Sequence, residues 1–236
     1  SGSIYQIARV FRGGEVGSRH NPEFTLLEWY RVGFTLEQLI DDVTAIATLA
    51  LGTKTRRRYR YRELFRVHLG LDPLTSPVGM LAAAARPLEP AFVEADRDTW
   101  LDLLMSHVIE PRLPPDELSF VVDYPPSQAA LARLRRDDDG QAVAARFELY
   151  HRGVELANGY HELLDSGEQA ARFAADQCRR QALGLPPVAA DSKLLAALAH
   201  GLPDCAGVAL GVDRLLMVAL GAASLAEVIA FPMERA

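Results

Sequence analysis

The first thirty residues have a pattern of apolar and polar positions that predicts a strand, a polar loop and a second strand. Residues 5–11 form a nearly unbroken apolar run, which is typical of a central strand buried on both faces. Residues 12–22 are polar and rich in glycine, so they predict a loop. Residues 24–31 repeat with a period of two, which gives this strand two different faces. One of those faces carries Phe24, Leu26, Glu28 and Tyr30.

The rest of the chain alternates between helical and strand-like stretches. Residues 36–51 carry apolar side chains at helical spacing, and Thr35 with Gln38 predicts a capping box at the start of that helix. Gly52 predicts its end. Further strands are predicted at 118–124, 147–151 and 154–163, and further helices at 98–109, 166–183 and 191–200.

Glu28 is a candidate functional residue because a carboxylate among aromatic side chains on a sheet face is costly unless it meets a cation or a donor. The loop before it carries Arg12, Arg19 and His20. A hairpin would therefore hold cations at its tip and a carboxylate lower down, an arrangement that suits a ligand with one anionic and one cationic end. The alternative is a plain hairpin with a solvated tip and a satisfied Glu28.

Composition narrows the range of functions. With 236 residues and 49% hydrophobic content, the chain can bury one sizeable core, and one domain over residues 1–236 is predicted. A net charge of −6 argues against a general nucleic-acid-binding surface. No apolar run is long enough to span a membrane and no signal peptide is visible, so a cytoplasmic location is expected. Cys178 and Cys205 fit a reducing compartment better than a disulfide scaffold.

A basic run stands at residues 56–62, where five arginines are interleaved with two tyrosines in an otherwise acidic chain. One interpretation is a docking site for RNA or for an acidic protein partner. The favoured interpretation is an exposed edge strand whose arginines resist pairing with another strand.

Three stretches together resemble the class II aminoacyl-tRNA synthetases. FRGGEVGSRHNPEFTLLEWY resembles motif 2 in its lysine-specific form, GVALGVDRLLMVALG resembles motif 3, and GVELANGYHEL resembles the strand with acidic metal ligands. Within the class, the chain is most similar to the lysyl-tRNA synthetase paralogues that modify elongation factor P. The resemblance implies an α+β fold, with a mostly antiparallel sheet flanked by helices. Motif 1 precedes motif 2 in this class, so we expect it to be missing here, and we expect the full-length protein to form a homodimer.

The resemblance also implies a chemistry and a set of site residues. A lysine-type carboxylate would attack the α-phosphorus of ATP, with Mg²⁺ and two catalytic arginines, Arg12 and Arg214, stabilising the charge. The implied ATP-binding residues are Arg12, Glu15, Arg19, His20, Asn21, Phe24, Glu155, Leu156, Gly211 and Arg214. The implied substrate-binding residues are Glu28, Tyr30, Asn158, His161, Glu162 and Ala209. The implied metal ligands are Glu155 and Glu162.

The two implied metal ligands make a demand on the strand that carries them. Glu155 and Glu162 are seven residues apart, and an odd separation puts side chains on opposite faces of a regular strand. If both serve one Mg²⁺–ATP site, the strand must be irregular between them. Asn158-Gly159 is the predicted place for a bulge or bend.

The sequence departs from the family at one position and leaves three functions open. Motif 2 usually reads Arg-x-Glu, but Gly14 stands at the glutamate position and Glu15 follows it. Either Glu15 substitutes through a flexible loop, or adenine selection is weak. The favoured function is a ligase that activates lysine or (R)-β-lysine and transfers it to a lysine of elongation factor P, since His161 and Ala209 resemble that branch. The alternatives are a lysyl-tRNA synthetase fragment and a non-catalytic binding paralogue.

Overall fold

The described strands form a single eight-stranded sheet. The computed structural model describes residues 2–14, 16–90 and 95–235. The strands are β1 Ile4–Phe11, β2 Glu23–Val32, β3 Arg56–Arg60, β4 Leu118–Tyr124, β5 Leu134–Arg136, β6 Ala142–His151, β7 Val154–His161 and β8 Cys205–Gly211. They are ordered β1-β2-β8-β7-β6-β4-β3, with β5 paired to β6. All pairs are antiparallel except β3 with β4.

Helices cover the two faces of the sheet unequally. They are α1 Leu36–Leu51, α2 Tyr61–Leu69, α3 Val78–Ala85, α4 Arg97–Leu104, α5 Ser166–Ala182, α6 Ser192–His200 and α7 Val212–Leu220. One buried cluster joins α1 and α7 to one face of the sheet, and a second joins α2, α3 and α4 to the other face near β4 and β6. On that second face, the central strands β2, β8 and β7 carry pockets.

The expected α+β architecture is confirmed, and so are its most local signals. Thr35 Oγ1 accepts a hydrogen bond from the Gln38 backbone at 3.3 Å, and Gln38 Oε1 accepts one from the Thr35 backbone at 2.9 Å. Gly52 ends α1 in the left-handed conformation. Cys178 and Cys205 are both free thiols. Within the described ranges, no helix has the length and apolar character needed to cross a bilayer.

The basic run forms the edge strand β3 and the first turn of α2. Four of its five arginines are paired with acidic side chains: Arg56 with Asp41, Arg58 with Glu37, Arg60 with Asp138 and Arg62 with Asp72. The edge position agrees with the favoured interpretation of this stretch.

The prediction of a central, doubly buried strand at residues 5–11 is wrong. β1 is at the end of the strand order, and the side chains of Tyr5 and Phe11 are 77% and 72% exposed. A continuous apolar run indicates that both faces of a strand are apolar. It carries no information about which neighbours cover those faces.

Candidate active site

Two rows of side chains cross the open face of the sheet and form the floor of the candidate site. The first row runs over β2, β8, β7 and β6 and consists of Glu28, Ala209, Asn158 and Glu148. The second consists of Tyr30, Gly207, Tyr160 and Arg146. Directly paired residues of neighbouring strands point to the same face, so each row presents its side chains together.

A bulge in β7 brings Glu155 to the same face as these rows. Leu149 pairs with Ala157, but the next residue, Tyr150, pairs with Glu155, so Leu156 is the extra residue. The strand is regular from Ala157 onward. An irregularity between Glu155 and Glu162 is therefore confirmed, while its predicted place at Asn158-Gly159 is wrong.

Glycine at position 159 has a different reason. A Cβ atom there would lie 2.4 Å from the ring of Phe147 on β6. Gly159 thus admits an aromatic ring of the core, and it does not bend the strand. The bulge in β7 and the glycine, which the sequence suggested were one feature, are therefore at different positions of the strand.

The first pocket, which we call the sheet pocket, has a volume of about 370 Å³. It lies over the two rows and is lined by five of the predicted substrate-binding residues: Glu28, Tyr30, Asn158, Glu162 and Ala209. Gly207 is needed at its floor, because a Cβ atom there would lie 2.5 Å from the Tyr30 ring and 2.6 Å from Glu162 Oε1. The wall of this polar pocket has four carboxylates, those of Glu28, Glu148, Glu155 and Glu162, which suit a ligand with cationic groups.

Burial raises the pKa values of two side chains in the sheet pocket. It raises the pKa of Glu162 to about 8, with Arg133 opposing the shift. Burial, together with the nearby Glu162 and Glu28, also raises the pKa of Tyr30 to about 12. A free Glu162 therefore holds a proton at neutral pH, and a cationic ligand would favour its ionised form.

The second pocket, which we call the loop pocket, lies between the hairpin loop and the start of α7. Nine of the predicted ATP-binding residues line it: Arg12, Arg19, His20, Asn21, Phe24, Glu155, Leu156, Gly211 and Arg214. The Arg12 guanidinium lies 5.4 Å from the centre of the Phe24 ring. Arg12 and Glu155 line both pockets, so the two pockets meet at these side chains.

Arg214 is fixed by contacts from three directions. It lies in the first turn of α7, where its Nη1 is 3.3 Å from Glu155 Oε2 and its Nη2 is 2.8 Å from His20 Nε2. Its Nε donates a hydrogen bond of 3.2 Å to the backbone carbonyl of Arg19. The preceding residue, Asp213, accepts a hydrogen bond of 2.6 Å from the Thr25 backbone and ties the helix start to β2. The guanidinium and the helix N-terminus both favour an anion at this end of the site.

Glu148 is a site residue that the sequence reasoning missed. It is buried on β6, and its carboxylate accepts hydrogen bonds from Tyr124 and Tyr150 and pairs with Arg146. Burial raises the pKa of Glu155, and the negative charge of Glu148 raises it further. Glu148 and Glu155 thus form a carboxylate pair facing the site. The sequence could have indicated this pair through the two-residue turn at Arg152-Gly153, because that turn puts Glu148 and Glu155 on neighbouring strands.

A family model described as tRNA synthetases class II (D, K and N) matches residues 1–235. The chain belongs to the class II tRNA synthetases. Proteins named Elongation factor P--(R)-beta-lysine ligase are similar to it along its whole length. The one from Yersinia enterocolitica is 48% identical over 239 residues, and the one from Hamiltonella defensa is 47% identical. The one from Salmonella paratyphi B is 46% identical over 238 residues, and the chain covers 73% of each of the three.

One described site residue of this class II synthetase chain, His161, is not brought into the pockets. His161 is on the opposite face of β7 from Glu162, and its Nε2 is 3.0 Å from Asp204 Oδ1. The alternation of side chains along the strand separates it from the sheet pocket, so its predicted contact with substrate has no support in this geometry. Glu15 lies outside the described residues.

The metal prediction for Glu155 and Glu162 stays a prediction. Within the described part of the class II chain, no group of three or more His, Cys, Asp or Glu side chains could hold a metal ion. The pKa of Glu162 responds to burial and to Arg133, whereas that of Glu155 responds to burial and then to Glu148. Among the acidic side chains, Glu148 therefore has the larger effect on the pKa of Glu155. Carboxylate oxygens are the ligands that Mg²⁺ prefers, so this pair fits Mg²⁺ beside bound phosphates.

We expect Glu162→Gln to remove a pH-dependent loss of stability. The pKa of Glu162 rises from its ordinary 4.5 to about 8 in the folded chain, so the folded state binds more protons than the unfolded state between these values. The free energy of unfolding contributed by this group therefore falls as pH rises from 4.5 to 8. Glu162→Gln should raise the melting temperature at pH 8 and leave it unchanged near pH 4.

Thermal denaturation of both proteins over this pH range checks the prediction. Glu63→Gln is a matched control, because Glu63 is 62% exposed on α2 and distant in sequence from the pockets. Identical pH dependence in the wild type and in Glu162→Gln would contradict the expectation.

Proposed function

We propose that this class II chain is an ATP-dependent ligase that activates lysine or (R)-β-lysine as an adenylate and transfers it to a lysine side chain of elongation factor P. The names of its relatives support the ligase and its protein substrate. The observation that carries the proposal is the junction of the two pockets. The loop pocket has arginines for phosphates, the sheet pocket has carboxylates for amines, and Arg12 and Glu155 line both.

The junction is suited to in-line attack of a carboxylate on the α-phosphorus. The amino groups of the amino acid would be held by Glu28 and Glu162, which directs its carboxylate toward Arg12. One carboxylate oxygen forms the bond to the α-phosphorus, and the bond to the pyrophosphate oxygen breaks. Arg12 would stabilise the α-phosphate charge and Arg214 the γ-phosphate charge. Positioning and electrostatics carry this step, and no side-chain nucleophile is required.

Mg²⁺ would be held by Glu155 together with Glu162 or Glu148, and when bound it would supply charge neutralisation to the phosphates. The role of the residues themselves follows from their contacts. Arg146 pairs with Glu148 and donates a hydrogen bond of 3.2 Å to Asn158 Oδ1. It therefore orients Glu148 beside the Mg²⁺ and Asn158 beside the amino acid. Phe24 would stack on the adenine ring. Glu15 would select the adenine amino group in place of the glutamate that Gly14 replaces.

Charging of tRNA with lysine is the second candidate, since the matching family model describes tRNA synthetases. The test uses the full-length protein with labelled ATP, Mg²⁺ and either α-lysine or (R)-β-lysine, followed by elongation factor P or lysine tRNA. Transfer to the protein alone supports the ligase, and a preference for β-lysine gives Ala209 a role in selecting the substrate. Transfer to tRNA makes it a synthetase. Failure to form an adenylate with either amino acid favours a binding paralogue.

Replacing Glu28 by glutamine should weaken binding of the amino acid more than that of ATP. A lost charge-assisted hydrogen bond to an ammonium group is worth about 1.5–3 kcal/mol, which raises the KM for lysine about 10- to 100-fold. The KM for ATP should stay within about twofold, because Glu28 lines only the sheet pocket of the two.

Pyrophosphate exchange at varied lysine and ATP concentrations measures both constants. Glu23→Gln is the matched control, since Glu23 is on the same strand but is exposed and paired with Arg9 at 3.1 Å. Equal effects of Glu28→Gln on the two KM values would count against the assigned role.

A further inference from the structure

A third and larger cavity lies beside the two pockets, and no role has yet been assigned to it. It has a volume of about 930 Å³ and lies between α4, α5 and residues 124–130. We call it the lateral cavity. Its lining includes Arg146, Glu148 and Glu155, and these three side chains also line the sheet pocket. The lateral cavity therefore reaches the junction where the adenylate would form, from a side that neither ligand occupies.

The lateral cavity is acidic. The carboxylates in its wall are Asp98, Asp102, Glu110, Glu148, Glu155 and Asp176, and they face three arginines. Arg146 pairs with Glu148 in the wall, and Arg179 is 3.8 Å from Asp98 in the wall and 2.6 Å from Asp96 outside it. Arg172 pairs with Glu168, which is outside the wall, so the six carboxylates outnumber the three arginines. A cleft lined by one sign of charge attracts the opposite charge and raises its local concentration.

Asp102 is one of the wall carboxylates that have no ion-pair partner among the described residues. It is an exposed residue that lines the cavity, and Gln128 donates a hydrogen bond of 2.8 Å to its Oδ1. Among the described residues, no cationic side chain lies within 4 Å of it. Partial desolvation by the cavity wall and the neighbouring Asp98 raise the pKa of Asp102 to about 6. A cation placed here would remove that unfavourable charge.

Tyr61 supplies a second, independent sign of a ligand. Its side chain is in the cavity wall and only 1% exposed, and its hydroxyl has no hydrogen-bond partner within the described ranges. Burial and then the charges of Asp102, Glu148 and Asp98 raise its pKa well above the usual range. Buried hydroxyl groups are normally satisfied, and one left without a partner costs about 1–3 kcal/mol. Its oxygen can accept a hydrogen bond.

We propose that the lateral cavity binds the ammonium group of the acceptor lysine side chain, with Asp102 as its ionic partner and the Tyr61 hydroxyl as a further acceptor. This inference rests on the proposed function. An ammonium group has three donors and no acceptor, so it needs oxygens of this kind. The cavity leads from Asp102 to Glu148, Glu155 and the junction, so it gives an acceptor side chain a path to the adenylate separate from both substrates.

The test compares adenylate formation with transfer in full-length Asp102→Asn and Tyr61→Phe. Pyrophosphate exchange reports the first step, which involves no acceptor, and the mass increase of elongation factor P reports the second. We expect the KM for elongation factor P to rise about tenfold in Asp102→Asn and about threefold in Tyr61→Phe. Exchange should change by less than twofold in each variant. Asp116→Asn, in an exposed loop outside the cavity lining, is the matched control.

Each other outcome overturns the inference in a recognisable way. Unchanged transfer in both variants, with a higher melting temperature for Tyr61→Phe, would mean that the hydroxyl is only an unsatisfied group. A parallel loss of exchange and transfer would assign the cavity to the amino acid or to ATP. A wild-type protein that forms adenylate but transfers nothing to elongation factor P would overturn the proposed function, and this site with it.

Discussion

Arg12→Ala should lower the rate of adenylate formation by about 10²–10³-fold, which corresponds to about 3–4 kcal/mol of lost transition-state stabilisation. Arg12 is at the end of β1, where its guanidinium approaches the Phe24 ring and lines both pockets. Among the described residues, Arg12 is the one arginine that lines both the loop pocket and the sheet pocket. Because negative charge grows on the α-phosphate as the bonds exchange, the loss should appear mainly in kcat.

Single-turnover measurement of adenylate formation at saturating ATP and lysine checks this expectation. Arg9→Ala is the control, since Arg9 is on β1, three residues before Arg12, and its pair with Glu23 is exposed. A drop confined to the KM for ATP would show that Arg12 only binds the ground state. Arg12→Lys should recover a part of the lost rate, because lysine keeps the charge but not the planar fork of donors.

Gly207→Ala should abolish most of the amino-acid binding, with a fall in kcat/KM for lysine of at least about 10²-fold. The added methyl group would meet the Tyr30 ring at 2.5 Å and Glu162 Oε1 at 2.6 Å, so both side chains would have to move. These two side chains form one wall of the sheet pocket, and their displacement changes its shape where the substrate amines would bind. Overpacking of this kind also costs about 1–3 kcal/mol of stability.

Isothermal titration with lysine in the presence of a non-hydrolysable ATP analogue measures the loss directly. Gly79→Ala is a suitable control, because a Cβ atom at that helical position meets nothing within 4 Å. If Gly207→Ala binds lysine as the wild type does, the crowding at this position is relieved by simple side-chain movement, and the glycine has no role in shaping the pocket.

Local signals predicted much of this fold and of this site. Thr35 and Gln38 were enough to place the start of α1, because a capping box depends on residues three apart. The period-two pattern of β2 put Glu28 and Tyr30 on the pocket side and Trp29 in the core, since a strand assigns faces by alternation alone.

Other features depend on contacts across the sheet, and the sequence did not reveal them. The odd number of residues between Glu155 and Glu162 required a bulge in the strand. Gly159 suggested its place, but this glycine instead leaves room for the Phe147 ring. Glu148 was missed because it and Glu155 are on two paired strands, β6 and β7, and not on the same strand. Similarly, β1 is an edge strand because of the order in which strands pair, and its apolar run contains no such information.

The common wall of the two pockets has a thermodynamic consequence for how the substrates bind. Arg12 and Glu155 belong to both pockets, so a ligand that moves or neutralises either side chain changes the surroundings of the other ligand. Linkage requires the effect to be mutual: the factor by which ATP changes the affinity for the amino acid is the factor by which the amino acid changes the affinity for ATP. Affinities of the two substrates measured one at a time are therefore not additive unless that factor is one.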